Sequence, residues 1–501
     1  MVSRKQAYQV SQGSKNRQQR TVVSKSTKAF QRLSRSFHAL MALTLSLIFI
    51  ACTNHTSRLD PLPVTEPPIK STALRIWWDK GFNLEEDEAL QQLVHNWEQK
   101  TGHKIQLSFY TNDELPKKTE RAIKAGKPPD IVMSSSAERE LIPRLAWEGK
   151  LVDVSNIIEP IKSIYPEAVL DAVHFYNNVE KKQGYYGIPI NQLTIHIQYW
   201  RDLLKQVGRT ERDIPKDWDG FWEFWQQIQD KLRAQQKQNK KPDIYALGLP
   251  FSVGAADTYY TFEQILEAYD VQLLGSKGQL LLNDPQVRQG IVKSLEWYTK
   301  FYQHGYVPQD AVNWLNPDNN RSLLNRRVVM TPNTTLSIPA AVRQDPKIYH
   351  NQLGTIEFPN KPSGKPMRYL VTLNAAVLFA ESPNREIAKD FLAYLAQPQT
   401  IGNYLKASGT RYLPVMIPVW KDPFWSDPTD PHRSVAAKTL THGQTRSFYI
   451  VQNPAYTLVL SENIWGKALH RIVVNGITPQ QAADEAIERI KQIFAQWQSD
   501  K

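Results

Sequence analysis

Between residues 74 and 134 the chain alternates strand-like and helix-like patterns, and this alternation limits the fold more than any other feature. Leu74-Arg75-Ile76-Trp77-Trp78 is a short β-prone run. Glu85–Lys100 then places Leu90, Leu93, Val94 and Trp97 on one helical face, and Gly102 supplies a stop. Ile105–Tyr110 alternates as a second strand. A helix over Leu115–Ala125, the break Pro128-Pro129 and a third strand at Asp130–Ser134 complete a β-α-β-α-β unit. That order predicts a mainly parallel sheet flanked by helices. In such sheets ligands sit beyond the carboxyl ends of the strands, which directs attention to Trp78, Asp79, Tyr110 and Ser134-Ser135-Ser136.

The same grammar continues downstream. Gly184–Ile190 closes one unit, and Leu193–Trp200 reads as a strand leading into a helix. Pro215–Lys231 carries Phe221, Phe224, Trp225 and Ile228 on one helical face, a stripe better suited to a core than to a ligand. Further helical patterns fall at Thr258–Tyr269, Pro285–Gln303, Arg385–Ala396 and Pro479–Trp497, with no repeat of fixed period. A chain of 501 residues accommodates two such α/β units, and 41% hydrophobic with 22% charged residues is a globular composition.

The amino-terminal end has a different character. Ala39–Ala51 is a charge-free run of 13 residues, too short to span a bilayer and suited to the apolar core of a secretory signal. Nine Lys and Arg residues and no acidic residue precede Cys52. Removing those nine from the total of 61 leaves 52 basic against 49 acidic residues, so the net charge of +12 belongs mostly to the leader. No basic stripe remains in the body to bind nucleic acid. Phe49-Ile50-Ala51-Cys52 resembles the lipobox of bacterial lipoproteins, with Phe49 where Leu is usual and with an unusually long cationic segment before it. The expected arrangement is a signal peptide at 1–51, acylation of Cys52, and a Pro/Thr/Ser-rich tether over 52–72. Cys52 is the sole cysteine, so no disulfide forms within the chain and stability must come from core burial.

Several segments together resemble the extracellular solute-binding proteins of ABC importers, in the maltose-binding-protein-like carbohydrate class. They are LRIWWDKGFNLEEDEALQQLVHNWEQKTGHKIQLSFY, AIKAGKPPDIVMSS, YYGIPINQLTIHIQYWRDLLKQVG, IPKDWDGFWEFW, YTKFYQHGYVP, RYLVTLNAAVLFAESPNREIAKDFLAYLAQPQ and ASGTRYLPV, spread over residues 73–497. The resemblance implies a two-lobed periplasmic-binding-protein fold of type II, an α/β fold in which each lobe is a mainly parallel sheet flanked by helices, joined by hinge crossovers. It places the first lobe at 73–189 plus 355–397 and the second at 190–354 plus 398–497, with crossovers near Ile188–Asn191, Thr355 and Gln397. The implied partners are a small-molecule solute, expected to be a sugar, and the permease subunits of the importer. The implied location is extracytoplasmic on a bacterial membrane, held by the lipid anchor, as a monomer without a cofactor.

By position in that pattern, solute contacts fall to Trp78, Asp79 and Phe82 after the first strand and to Ser134, Ser135 and Glu138 after PPDIV. Asn191 and Asn374 lie at crossovers, Trp314 and Thr331–Asn333 line the second lobe, and Arg411 sits in the GTRYLP turn. Aromatic platforms, amides, carboxylates and a guanidinium suit the flat faces and hydroxyl rims of sugars. Each residue also has a structural reading. One of Trp77 and Trp78 faces the core if their strand is buried on one side. Asp79 and the serines suit turns and helix caps, the two asparagines suit hinge backbone groups, and Arg411 suits an ordinary ion pair. No GxSxG, HExxH, Walker A or GxGxxG motif is present, and His95 and His103 lack metal-ligand spacing. A sugar receptor is therefore the first expectation, the same fold binding another polar solute the second, and a secreted carbohydrate-active enzyme the third.

Overall fold

The computed structural model describes residues 73–239 and 244–499. The expected signal peptide, tether and acylated Cys52 lie outside the described residues.

Strand β1 (Ala73–Asp79) buries Leu74, Ile76 and Trp78 on one face, as period-two alternation requires. Helix α1 (Leu84–Thr101) lays Leu90, Leu93, Val94 and Trp97 into the core. It starts where the Glu86 carboxylate accepts the backbone N–H groups of Phe82 and Asn83, both at 3.1 Å. It stops at Gly102, whose φ of 75° lies in the left-handed region that glycine adopts without strain. Strand β2 (Lys104–Tyr110), helix α2 (Leu115–Lys124), strand β3 (Ile131–Met133) and helix α3 (Ser135–Glu140) follow in order. A hairpin of β4 (His174–Asn177) and β5 (Lys182–Tyr185) precedes the first crossing, which runs through β6 (Ile188–Thr194) into β7 (His196–Trp200).

Beyond it, helix α4 (Trp218–Asn239) buries the expected aromatic stripe, and Trp222 joins it. Trp222 and Trp218 lie 4.8 and 4.9 Å from Trp297, ring centroid to ring centroid. Next come β8 (Tyr245–Leu247), α5 (Ala256–Ala268), α6 (Pro285–Gln303), α7 (Asp318–Leu324), β9 (Val328–Asn333) and β10 (Leu353–Ile356). The chain returns through β11 (Arg368–Leu378) to α8 (Arg385–Leu395) and α9 (Pro398–Ala407). Strand β12 (Gln444–Ser447) and helices α10 (Tyr456–Ser461), α11 (Ile464–Asn475) and α12 (Pro479–Ser499) end it.

Two principal sheets result, one per lobe. The first has the order β12-β11-β3-β1-β2 with β6 also paired to β11, and the second has the order β10-β7-β9-β8. The two-lobed α/β expectation holds, but strand directions are mixed. β1 runs parallel to β2 and β3, whereas β11 runs antiparallel to both β3 and β6. In the second sheet only β8 and β9 are parallel. The reason is topological: strands that enter a sheet from the crossing run against those built by local βαβ connections.

The lobe boundaries also shift. Helix α9, expected in the second lobe, packs on α1, and β12 pairs with β11 in the first sheet. Leu413 also exchanges backbone hydrogen bonds with Gln192 of β6 at 2.9 and 3.0 Å, so the chain stays with the first sheet well beyond Gln397. Thr355 still belongs to β10 of the second sheet, and the return is completed only in β11.

Candidate solute-binding site

β1, β2 and β3 end side by side, and Asp79 is the last residue of β1. Its Oδ2 accepts the Ser135 backbone N–H at 2.7 Å, the Ser135 hydroxyl at 3.1 Å and the Asn112 amide at 2.9 Å. Its Oδ1 is buried without a hydrogen-bond partner. Burial raises the Asp79 pKa above the usual carboxylate range, against the opposing pull of the Ser135 N–H. Ser134 is fully buried at the end of β3. The backbone thus holds one carboxylate rigidly at the meeting point of three strand ends.

Arg411 stands nearby. Its Nη1 donates to Glu86 at 2.9 Å, its guanidinium lies 4.7 Å from the Tyr412 ring, and its Nε is buried without an acceptor. Burial works against its charge, but Glu86 outweighs that and holds the arginine more firmly protonated than usual. The Arg411 carbonyl accepts the N–H of Leu336, from the loop after β9, at 2.9 Å.

The second lobe presents its own strand ends to this place. His196 at the start of β7 is opposite Asn333 at the end of β9, so β8 and β9 finish near the crossing. Asn316, in the loop before α7, donates to Asn112 Oδ1 at 3.0 Å and to Asp113 Oδ1 at 2.7 Å. It also accepts the Asp257 N–H at 2.9 Å. Arg139 Nε donates to the Tyr259 hydroxyl at 3.1 Å, and that hydroxyl donates to Glu140 at 3.3 Å. Beside these contacts lies a cavity of ≈ 90 Å³ whose lining includes Asn112, Asp113, Lys117, Glu140 and Tyr259. Burial raises the pKa of Asp113 and Asp257 to about 6 and that of Glu140 to about 7.

Residues 92–432 match the family of bacterial extracellular solute-binding proteins. The chain belongs to that family. The multiple sugar-binding protein of Streptococcus mutans is 21% identical over 249 residues, covering 47% of this chain and 53% of that protein. The chain therefore spans about half the length of that curated relative. An ABC transporter solute-binding protein from Thermotoga lettingae, solved with α-D-tagatose, superposes with a TM-score of 0.70 at 21% identity, covering 84% of this chain and 100% of that one. UgpB from Mycobacterium tuberculosis, solved with glycerophosphocholine, gives 0.66 at 16% identity, covering 85% and 99%. These likenesses show the shared two-lobed type II fold.

In this solute-binding protein the expected contacts divide into two groups. Asp79, Ser134, Ser135 and Arg411 come together at the lobe junction, and Phe82 lies half-buried in the loop after β1. Others are engaged elsewhere. Trp78 is 2% exposed and belongs to the core, because alternation puts it on the same face as Leu74 and Ile76. Tyr110 packs edge-on against Trp77 at 5.3 Å, with the Lys118 ammonium over both rings. Thr331 donates to the Gly248 carbonyl at 2.7 Å, and Asn333 donates to Thr335 and Ser337, which shapes the loop after β9. Trp314 is buried, with its indole N–H directed at Asp310. Asn374 donates to Asn191 at 2.7 Å, both fully buried, so this pair ties β11 to β6 at the crossing. The side chain of Glu138 lies outside the described residues.

Asn112, Asp113, Arg139, Glu140, Asp257, Tyr259 and Asn316 escaped the sequence reading. The strand-end rule extends to Asn112 and Asp113, which follow β2. The others answer to no local pattern, since their partners are more than 50 residues away in the chain.

Proposed function

We propose that this protein is an extracytoplasmic receptor that captures a sugar or oligosaccharide between its lobes and delivers it to the permease subunits of an ABC importer. One observation carries the reading: Asp79 Oδ1 and Arg411 Nε, at the same strand-end junction, are buried without partners. A carboxylate oxygen accepts hydroxyl hydrogens and a guanidinium N–H donates to hydroxyl oxygens, so together they suit a polyhydroxylated solute. The sugars in the names of the Streptococcus and Thermotoga proteins support the same class. Binding without chemistry fits a family of binding proteins, and the solute is released unchanged.

A second reading, a phosphorylated polyol, draws on the glycerophosphocholine-bound neighbour. The charges at the junction favour the first. Asp79, Asp113, Glu140 and Asp257 gather there with Glu86 beside them, against Arg139, Lys117 and an Arg411 paired with Glu86. An anion would meet more repulsion than attraction.

The lobes in this proposal are 73–194 with 368–413 and β12, and 195–367 with the helices that follow β12. The receptor acts as a monomer, tethered through acylated Cys52. Cys52→Ser should release it from membranes into the soluble fraction, and retention on membranes would point to an uncleaved anchor helix. The deciding test is a thermal-shift screen of residues 53–501 against sugars, polyols, amino acids and phosphorylated solutes. A ligand at a hundredfold over its Kd stabilises by about 2.7 kcal/mol, a rise of a few degrees. A shift with one saccharide class, recovered intact, supports the receptor. Shifts with anionic solutes alone favour the second reading, and cleaved sugar would sink both.

A further inference from the structure

Helix α5 belongs to the second lobe, yet one of its sides bonds to the first sheet. Tyr260, Gln264 and Glu267 stand at spacings of four and three, which puts them on one side of a helix. The Tyr260 hydroxyl lies 3.0 Å from the Leu370 carbonyl of β11 and 3.4 Å from the Leu193 carbonyl of β6. The Gln264 amide donates to the Arg368 carbonyl and accepts the Leu370 N–H, both at 2.9 Å.

Glu267 ends this row, and at 1% exposure it takes three cations. Its Oε1 accepts from Arg368 Nε at 2.9 Å and from Lys361 at 3.0 Å. Its Oε2 accepts from Arg368 Nη2 at 3.0 Å and from Arg446 Nε at 2.8 Å. The register of the sheet explains the convergence. Arg368 of β11 pairs with Gln444 and Arg446 of β12 pairs with Leu370, so alternation puts both guanidiniums on the same face. Lys361 arrives from the segment between β10 and β11, and Asp270 holds it from another side at 2.8 Å. Burial works against the charge of Glu267, but Arg368 and Arg446 outweigh it and hold the carboxyl below its ordinary range.

At the seam between the lobes, the other end of α5 meets the first lobe directly. Tyr259 takes a hydrogen bond from Arg139 at 3.1 Å and gives one to Glu140 at 3.3 Å, both on α3. Asn316 clamps the same seam, donating to Asn112 and Asp113 at 3.0 and 2.7 Å. Tyr259 and Glu267 are about 12 Å apart along a helix axis, so α5 spans from the crossing strands to the seam. Crossing segments are where domains rotate against each other. A bidentate ion pair anchored in both lobes restrains such rotation by direction as well as by charge.

We infer that Glu267 is a positioning residue that fixes the angle between the lobes: it pins α5 to β11 and β12, and α5 sets Tyr259 against α3. The inference rests on the receptor reading only in that this angle shapes the place where a solute would lie. Neither Glu267 nor its three cations belongs to the strand-end junction of Asp79 and Arg411.

The test uses residues 53–501, which lack the sole cysteine, with Gln91→Cys on α1 and Gln289→Cys on α6 carrying spin labels at exposed positions. Dipolar electron paramagnetic resonance then reads the distance between the lobes without any solute. Glu267→Gln should shift and broaden that distance relative to the unsubstituted pair. It also leaves three cations against a neutral amide, a change that can cost the fold. Arg368→Lys keeps the charge and gives up the fork, so it carries the test with native circular dichroism, and it too should shift and broaden the distance. Trp225→Ala, in the core of the second lobe, should lower stability and leave the distance as it was. An unchanged distance in folded Arg368→Lys overturns the inference, and so does an equal broadening in Trp225→Ala. Because no solute enters, that failure would leave the receptor reading to the solute screen, and failure of the screen would leave the role of Glu267 standing.

Discussion

The lobe seam and the aromatic heart of the second lobe are both deeply buried, and both hold polar atoms without partners. Around α4 those atoms include the indole N–H groups of Trp222, Trp225 and Trp297. At the seam they include Asp79 Oδ1 and Arg411 Nε. An unpartnered indole N–H is neutral and costs a modest amount, which the burial of the ring easily outweighs. An unpartnered oxygen or nitrogen on an ionised group in low dielectric costs more and changes with protonation or with an arriving partner. The comparison teaches that burial alone does not mark a site. The aromatic cluster is a fixed core, and the seam is the part of the molecule that an arriving solute can alter.

Three experiments press on that contrast. The largest effect is expected in the aromatic cluster, where Trp225 is fully buried. Trp225→Ala should cost about 3–5 kcal/mol, read as a lower urea midpoint. A loss below about 1 kcal/mol would mean that the cluster is not a core in the sense argued here.

The next effect tests the buried histidines of the second lobe. His196 and His432 are buried neutral, His196 against Thr439 at 3.1 Å and His432 against Thr355 at 2.7 Å. Burial lowers both to about 4 from the ordinary 6.5. The unfolded chain therefore binds more protons than the folded one between those values, and stability falls as pH drops through that window. Each contributes up to about 1.4 kcal/mol per pH unit. His196→Gln should flatten the decline of Tm between pH 6.5 and 4.5, and an unaltered slope would assign the acid sensitivity elsewhere.

The smallest stability change is expected at the seam, with the greatest effect on binding. Asp79→Ala removes a carboxylate that accepts three hydrogen bonds and should cost about 1–3 kcal/mol. Solute affinity should fall at least about tenfold while the protein stays folded. An unaltered affinity would remove Asp79 from the site and reduce the seam to an ordinary buried polar contact.

Much of this architecture was readable from local pattern. The spacing of Leu90, Leu93, Val94 and Trp97 specified a helix and its buried face, and Gly102 its end. The stripe on α4 was readable as core because its period matches a helix face. Of the site, Asp79 and Ser135 were legible because strand ends in a parallel βαβ unit converge. Trp78 was misplaced because two adjacent tryptophans leave the facing of a strand ambiguous until the sheet is known. Thr331 and Asn333 were misplaced because a polar residue at a strand end serves a loop as readily as a ligand.

By itself, then, the sequence determined the elements, their caps and the first lobe's strand ends, since these depend on residues within a few positions of one another. The tertiary structure alone decided the strand directions, the place of α9 and β12, and the clamps of Asn316 and Tyr259. The physical reason is distance along the chain. Asn316 meets Asp113 across 203 residues and Tyr259 meets Arg139 across 120, and no local period records which distant side chain the crossings will bring within hydrogen-bond reach.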